Sequence, residues 1–253
     1  MRRIHWSPSP ASAPGERLTA RAFANEGRDL GIDIDAPLDV ALTAVLSACL
    51  SDGAGQAVTH EDARTWTVAK RRQGLLAIAV ATHGTLRDLT ATCHAPACGE
   101  RMDLQVDLTA FNTDWRDDRV MVPGHSLVLR LPSPGDLTGS EAEGPDLLRN
   151  LVVEGDVPAN TAWLDDADTA LGEADPLGDL ELQATCPECG APVSHPFALE
   201  PFLMAELAGE LSRLIDEIHV LAMAYHWSEA EILALPNSRR ALYIDRIREA
   251  WAA

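Results

Sequence analysis

The chain has 253 residues, 46% of them hydrophobic, and carries a formal net charge of −19 at pH 7. This length can bury a sizeable core in one or two domains, and the apolar content excludes a disordered chain. The charge is uneven, since residues 101–200 carry 5 Lys/Arg against 20 Asp/Glu. Such an acidic middle repels phosphate backbones and argues against nucleic acid as a partner. The acidic residues of this middle part either keep the protein soluble or form an acidic surface that docks a partner.

The N-terminal stretch MRRIHWSPSPASAPGER contains two arginines but no apolar segment behind them of the kind that a signal peptide has. The longest apolar run, GLLAIAVA at 74–81, is far shorter than the roughly 18 residues that a membrane helix needs. We therefore expect a soluble, cytoplasmic protein with no membrane partner. Residues 1–16 are rich in Pro, Ser and Ala, which predicts a flexible tail.

Residues 17–84 predict an N-terminal helical region. The expected helices are 18–27, 35–50 and about 61–82. Thr59 stands three residues before Asp62, a spacing typical of a capping box at the start of the third helix. Cys49 falls in the apolar second helix, where a cysteine is most often a small buried hydrophobe.

The other four cysteines form two close pairs. Cys93 and Cys98 lie in TCHAPACGE, and Cys186 and Cys189 lie in TCPECGA. Both pairs end in Cys-Gly, and alternating apolar segments adjoin them: RMDLQVDL follows the first pair and LELQAT precedes the second. The pattern is typical of two β-hairpins whose tight turns present thiolates to one metal ion, with glycine taking the left-handed backbone after the second cysteine.

Structural zinc, redox exchange and a disulfide are the three chemistries open to these cysteines. A thioredoxin-like pair begins a helix, and the Gly-Ala-Pro after Cys189 is a poor helix start. A disulfide requires an oxidising compartment, for which no export signal is visible. His94 and His195 stand beside the pairs and could each replace a cysteine. Four thiolates at tetrahedral geometry favour a structural Zn²⁺. The predicted ligands are Cys93, Cys98, Cys186 and Cys189.

Between the two pairs lie 87 residues, whereas a compact ribbon has roughly 15–20. We therefore interpret about 112–178 as an acidic insertion within a zinc-ribbon region that spans 85–198. The insertion contains a predicted strand in HSLVLRLPSPGDL, a helix begun by Pro145, and a short helix in LDDADTALGEADPLGDL.

Residues 199–253 predict a C-terminal helical region. Apolar residues recur every three or four positions over 199–225, Ser228 and Glu231 form a second capping box, and Pro236 ends the short helix before a final one. The predicted fold class is α+β, with a small four-cysteine β zinc ribbon flanked by N-terminal helices and a C-terminal helical hairpin.

Catalytic motifs are missing from the sequence: it contains no nucleophile elbow, H-E-x-x-H, phosphate-binding loop or dinucleotide fingerprint. His219 and His226 could share a helix face, but that arrangement is more typical of packing than of catalysis. Arg239 and Arg240 could bind phosphate at a helix start, but we favour their pairing with the acidic middle of the same chain. We expect a non-enzymatic protein with no small-molecule substrate.

Residues 175–247 resemble the family of contractile-tail baseplate proteins named for the T-even phage baseplate hub and hub-assembly proteins. The resemblance rests on the CPxCG motif, on the start of the long helix and on HVLAMAYHWSEAEILALPNSRRALY. LRLPSPGDL at 129–137 resembles an upstream segment of the same family. His226 departs from the pattern, which has glycine there. The resemblance implies a baseplate component or assembly chaperone of a phage-tail-like contractile injection system that binds baseplate or hub proteins.

Partner-binding residues are expected in the C-terminal region. Large aromatics at a helix–turn–helix corner most often pack a core, but they also anchor interfaces. The predicted set is Tyr225, Trp227, Arg239, Arg240 and Tyr243. The alternative function is a zinc-ribbon adaptor or regulator that binds nucleic acid or transcription machinery, for which a basic stripe beside the ribbon would be expected.

Overall fold

The computed structural model of the chain describes residues 3–6, 18–111, 118–138 and 144–252. This part mixes α-helices with small antiparallel sheets. The helices are α1 (Leu38–Cys49), α2 (His60–Thr65), α3 (Val68–His83), α4 (Gly144–Leu151), α5 (Ala162–Ala174), α6 (Leu199–Tyr225), α7 (Glu229–Leu233) and α8 (Asn237–Ala252). The strands are β1 (Arg3–Trp6), β2 (Leu18–Arg21), β3 (Leu50–Ser51), β4 (Leu86–Thr92), β5 (Arg101–Asp107), β6 (Arg119–Met121), β7 (Val128–Arg130), β8 (Val152–Glu154), β9 (Leu180–Thr185) and β10 (Pro192–Phe197).

The main core lies in the N-terminal part, where a sheet of order β1-β2-β3 packs against α1 and α3. The first half of α6 completes this core through Leu203, Leu207 and Leu211. Helices α1 and α3 approach closely at Gly74, where an added Cβ would lie 2.9 Å from a methyl carbon of Leu46. Because interiors are close-packed, a larger side chain at this position would push the two helices apart.

The prediction of a helix over 18–27 is wrong. Strand β2 occupies its first part, and a 3-10 turn follows only at Gly27–Gly31. The guanidinium of buried Arg21 donates to the carboxylate of Asp29 and to the carbonyl of Ala48, which ties the segment to the end of α1. Residues 3–6 of the predicted tail pair with β2 as an antiparallel strand, and the remainder of 1–16 lies outside the described residues.

The helix predicted over 61–82 is divided into α2 and α3. Its N-terminal capping box is confirmed, since Thr59 accepts the N–H of Asp62 and the Asp62 side chain accepts in return. The break falls at Trp66, whose backbone is extended, and Thr67 caps the new helix. The N–H of Val68 has no partner within the helix because it lies in the first turn, and it donates instead to the carbonyl of Pro132 at 2.8 Å. The break thus docks the insertion onto the N-terminal body.

Two antiparallel hairpins follow from the alternating segments that the sequence shows. Strand β4 pairs with β5, and β9 pairs with β10. On the inner faces of these hairpins the residues are buried or half-buried, and the intervening residues are exposed. The strand predictions at RMDLQVDL and LELQAT are therefore confirmed.

The stretch between the hairpins has a core of its own. A small sheet of order β6-β7-β8 packs with α4 and α5 around Trp163, whose side chain is fully buried. Arg130 at the end of β7 forms a bidentate ion pair with Asp136 in the 3-10 turn Pro134–Leu137. Of the predicted insertion, residues 112–117 and 139–143 lie outside the described part of the chain.

The C-terminal region forms what we call the arm, namely the second half of α6 together with α7 and α8. Leu221, Ile232, Ile244 and Ile247 bury one another in a small cluster of their own. The predicted capping box at Ser228 and Glu231 is present and begins α7. The predictions of the long helix and of the two shorter ones that follow are confirmed. None of the helices described is both long and apolar enough to cross a membrane.

Candidate metal centre

The two hairpins bring the four paired cysteines together at their tips. The sulfur of Cys93 lies 3.7 Å from that of Cys189, and the sulfur of Cys98 lies 3.8 Å from that of Cys186. All four sulfurs lie within 4.8 Å of one another. These separations are far longer than the roughly 2.0 Å of a disulfide, so the four thiols are free. Among the described residues, this is the grouping of His, Cys, Asp and Glu side chains that could hold a metal ion.

The backbone of each hairpin turn fixes its cysteines. The N–H of Cys93 donates to the carbonyl of Glu100, and the N–H of Cys186 donates to that of Ala191, so the ladder reaches the first cysteine of each pair. Gly99 and Gly190 then adopt left-handed backbone, with φ of 68° and 71°. A side chain is strained in that region, which explains why glycine follows the second cysteine in both pairs. The glycine prediction is confirmed.

The thiols differ in acidity. Backbone N–H groups of Cys189 and Glu188 donate to the sulfur of Cys186 and lower the pKa of Cys186 to about 7. The N–H of Glu100 lowers the pKa of Cys98, but burial and the hydrogen bonds with the neighbouring thiols together raise it to about 12. The four groups thus cannot all ionise side by side unless a cation compensates their charge. The donor set fits a divalent, thiolate-binding metal ion.

Apolar side chains enclose the cluster from the side of the strands. Met102 of β5 and Val193 of β10 are buried against Cys93 and Cys186, whereas Cys189 is exposed. The sequence pattern placed Met102 on the inner face but did not single out Val193, although it is the first apolar residue of the returning strand. Among the described residues, the grouping consists of four sulfurs and contains no histidine or carboxylate.

The two neighbouring histidines contact each other. The rings of His94 and His195 lie edge to face with centroids 4.5 Å apart, and the Nε2 atom of His195 is buried with no hydrogen-bond partner among the described residues. Neither belongs to the four-sulfur grouping. Cys49 is buried in α1, and burial raises its pKa to about 12, in agreement with the interpretation as a small hydrophobe.

The predicted partner-binding aromatics form one cluster at the corner of the arm. Tyr225 stacks on Trp227 with centroids 4.7 Å apart, and Tyr243 meets both rings edge-on. Arg239 lies over the ring of Tyr243 with its Cζ atom 5.9 Å from the centroid. Tyr225 remains 36% exposed, so the cluster both packs the corner and reaches the surface.

The assignment of Arg240 to a partner-binding surface is wrong. Its side chain is 2% exposed and donates to Glu217, to the carbonyl of Leu235 and to Asn237. Its charge therefore serves to dock α8 on α6. The alternative that the arginines pair within the chain holds for Arg240, although its carboxylate partner lies on α6 and not in the acidic middle.

Comparison of the chain with protein-family models, with curated proteins and with solved structures found no match.

Proposed function

We propose that the protein is a non-enzymatic scaffold in which the cysteine cluster holds a structural zinc ion. An ion bonded tetrahedrally to four sulfurs at about 2.3 Å places those sulfurs about 3.8 Å apart. The cross-hairpin distances of 3.7 and 3.8 Å agree with this value. The tips of both hairpins then form the two knuckles of a zinc ribbon. This agreement is the observation that carries the proposal.

The same ion would join segments that are remote in sequence. Each end of the insertion leads into one of the two hairpins, and β10 is followed directly by α6. A metal ion at the hairpin tips would therefore hold the insertion, the N-terminal body and the start of α6 in one arrangement. Such a role requires rigid coordination and no open ligand position, as four thiolates supply.

We further propose that this scaffold acts in the cytoplasm as a component, or an assembly chaperone, of the baseplate of a phage-tail-like contractile injection system. The support is the resemblance over 175–247, which covers the second cysteine pair and the whole of α6 and α7. The arm offers a suitable binding element, because its aromatic corner is partly exposed and Arg239 lies on it.

The alternative of a nucleic-acid-binding zinc ribbon has less support. The outward face of the first hairpin carries Asp88, Asp103 and Asp107 against a single Arg101, and Glu188 lies in the second turn. These charges would repel a phosphate backbone. The hairpins do not carry the basic stripe that this alternative would need.

Crosslinking in the native host tests the baseplate proposal. A tagged chain would be crosslinked in cells, purified, and its crosslinked peptides identified by mass spectrometry. Crosslinks from α6, α7 or α8 to baseplate or hub subunits are expected. Recovery of polymerase or nucleic acid, with no tail protein, would replace the proposal by the zinc-ribbon adaptor.

A further inference from the structure

The free edge of β4 carries unused backbone hydrogen-bonding groups. The N–H of Cys93 donates to the carbonyl of Glu100, and the N–H of Leu108 donates to that of Thr85, which fixes the odd-numbered residues of β4 as those bonded to β5. In an antiparallel pair the alternate residues direct N–H and C=O away from the partner strand. Within β4 these residues are Leu86, Asp88, Thr90 and Thr92. Within the described residues, the hairpin is a sheet of two strands, so no third strand covers this edge.

The free edge of β10 differs in its chemistry. The N–H of Cys186 donates to the carbonyl of Ala191, and the observed register then directs Pro192, Ser194 and Pro196 away from β9. Two of these three residues are prolines, which have no N–H to offer. Prolines on an edge strand block the addition of a further strand. The β10 edge is therefore closed to strand pairing, whereas the β4 edge is open.

A groove of about 420 Å³ separates the two edges. Four consecutive residues of β4 line it, 89–92, and three consecutive residues of β10, 195–197. Successive strand residues point to opposite faces, so a groove lined by consecutive residues follows the edge of each strand. Leu104, Leu182 and Phe202 add apolar surface inside the groove, and the contacting rings of His94 and His195 lie at its cysteine end.

The outward face beside this edge is acidic. Asp88 of β4 stands opposite Gln105, and Asp103 and Asp107 follow on β5, with Arg101 as the one basic residue of the hairpin's outer surface. A strand added to β4 would direct alternate side chains into the apolar groove and the others over this acidic face. Basic side chains at those outward positions would complement its charge.

We propose that the groove between β4 and β10 binds an extended peptide segment of a partner protein, which pairs with β4 as a third strand. The segment alternates apolar residues, which enter the groove, with basic residues, which face the aspartates. In this mode of recognition the main-chain hydrogen bonds supply affinity and the alternate side chains supply specificity. The inference rests on the hairpins alone and does not depend on the baseplate assignment.

Peptide titration followed by NMR of the metal-loaded, full-length protein tests the proposal. The probe is a blocked hexapeptide of sequence KLKVKL. The controls are KKKLVL, which has the same composition without the alternation, and ELEVEL, which reverses the charge. The alternating basic peptide should shift the amide resonances of Asp88, Thr90 and Thr92 and slow their hydrogen exchange at least tenfold. Equal binding of KKKLVL, or protection confined to other parts of the chain, would overturn the proposal.

Matched variants locate the binding edge. Thr90→Pro removes an edge N–H that the hairpin does not use and should weaken binding of KLKVKL at least tenfold, whereas Thr90→Val keeps the N–H and should bind within twofold of wild type. Ser194→Pro on the opposite edge should also bind within twofold. A larger loss with Ser194→Pro than with Thr90→Pro would contradict the assignment to β4.

A second experiment changes the peptide instead of the protein, in case Thr90→Pro impairs folding or metal content. N-methylation of alternate amides of KLKVKL removes its donors on one edge at a time. One of the two methylated peptides should lose binding and the other should keep it, because only one edge faces β4. Unchanged binding of both would show that side chains alone hold the peptide. A wild-type dimer in sedimentation, dissociated by Thr90→Pro, would assign the edge to a second copy of this chain instead.

Discussion

The sulfur of Cys98 lies 3.8 Å from the sulfur of Cys186, although 88 positions separate the two residues in the chain. A cross-link that closes so long a loop removes much conformational freedom from the unfolded chain, about 4–5 kcal/mol in the chain-entropy model for disulfides of that span. A metal ion at the cluster would impose a similar constraint while it stays bound. A metal ion bound at the cluster would therefore also cross-link two segments that are remote in the sequence.

Cys186→Ser should abolish stoichiometric metal binding. Wild-type protein should contain one zinc per chain by elemental analysis under reducing conditions, and the variant should contain close to none, with a lower melting temperature. The reason is that a hydroxyl is a poor replacement for one of four thiolate ligands. Cys49→Ala serves as the control, because Cys49 is buried outside the cluster and its loss should leave the zinc content unchanged. Metal-free wild-type protein would refute the zinc proposal.

Arg240→Ala should destabilise the arm far more than Arg239→Ala. Removal of the buried guanidinium leaves Glu217, itself 13% exposed, without one of its two arginine partners. Loss of one partner of a buried ion pair costs about 3 kcal/mol or more. Because Arg213 still pairs with Glu217, we expect a loss at the lower end, about 3 kcal/mol. Arg239 is exposed, so its substitution should cost at most about 0.5 kcal/mol. Urea unfolding followed by circular dichroism measures the stability of both variants.

His226→Gly should stabilise the protein. His226 ends α6 in left-handed backbone, with φ of 57° and ψ of 29°. This conformation costs an L-residue with a side chain about 1 kcal/mol that glycine avoids. His219→Gly, in the interior of the same helix, should instead cost about 1 kcal/mol. Thermal unfolding of the two variants should thus move in opposite directions, and a lower melting temperature for His226→Gly would contradict this account of the turn.

Asp136→Asn should reduce the stability of the insertion at neutral pH and remove part of its acid sensitivity. Arg130 first, and then Ser133, hold the pKa of Asp136 well below its usual range. Because the folded-state pKa is lowered, the stabilisation is complete above the usual carboxyl pKa near 4 and is lost as the pH falls further. Arg130 is 37% exposed, so solvent screening limits the expected effect to about 1 kcal/mol.

Asp146→Asn is the matched control for Asp136→Asn. Asp146 also pairs with an arginine, Arg149, but both side chains are exposed. Denaturant unfolding at pH 7 and pH 3 should show a larger loss for Asp136→Asn at pH 7 than at pH 3, and almost none for Asp146→Asn at either pH. Equal losses for the two variants would mean that the partial burial of the Arg130–Asp136 pair adds nothing to its contribution.

The sequence predicts those parts of the fold that local patterns determine. The alternation around RMDLQVDL and LELQAT predicts the hairpins, the three-and-four spacing over 199–225 predicts α6, and the two capping boxes locate helix starts. It could not predict β2, because the extended conformation there depends on the long-range contacts of Arg21 with Asp29 and Ala48. Nor could it predict the break at Trp66, where the docking of Pro132 against Val68 competes with helix continuation.

The candidate site follows the same division. The four cysteines could be grouped from their spacing because each pair carries its own turn and its own glycine. The meeting of the two pairs across the insertion, and the burial of Arg240, depend on tertiary packing that no local pattern encodes. The blocked edge of β10 could have been predicted from the sequence, because Pro192 and Pro196 are four residues apart and so face the same edge of one strand.

Helix α6 spans 27 residues without interruption, which corresponds to about 40 Å. Its first half is embedded in the main core, its second half carries the aromatic corner, and its first residue stands two positions after β10. A pull or push on the arm is thus transmitted along a stiff rod toward the cysteine hairpins instead of being absorbed by a joint.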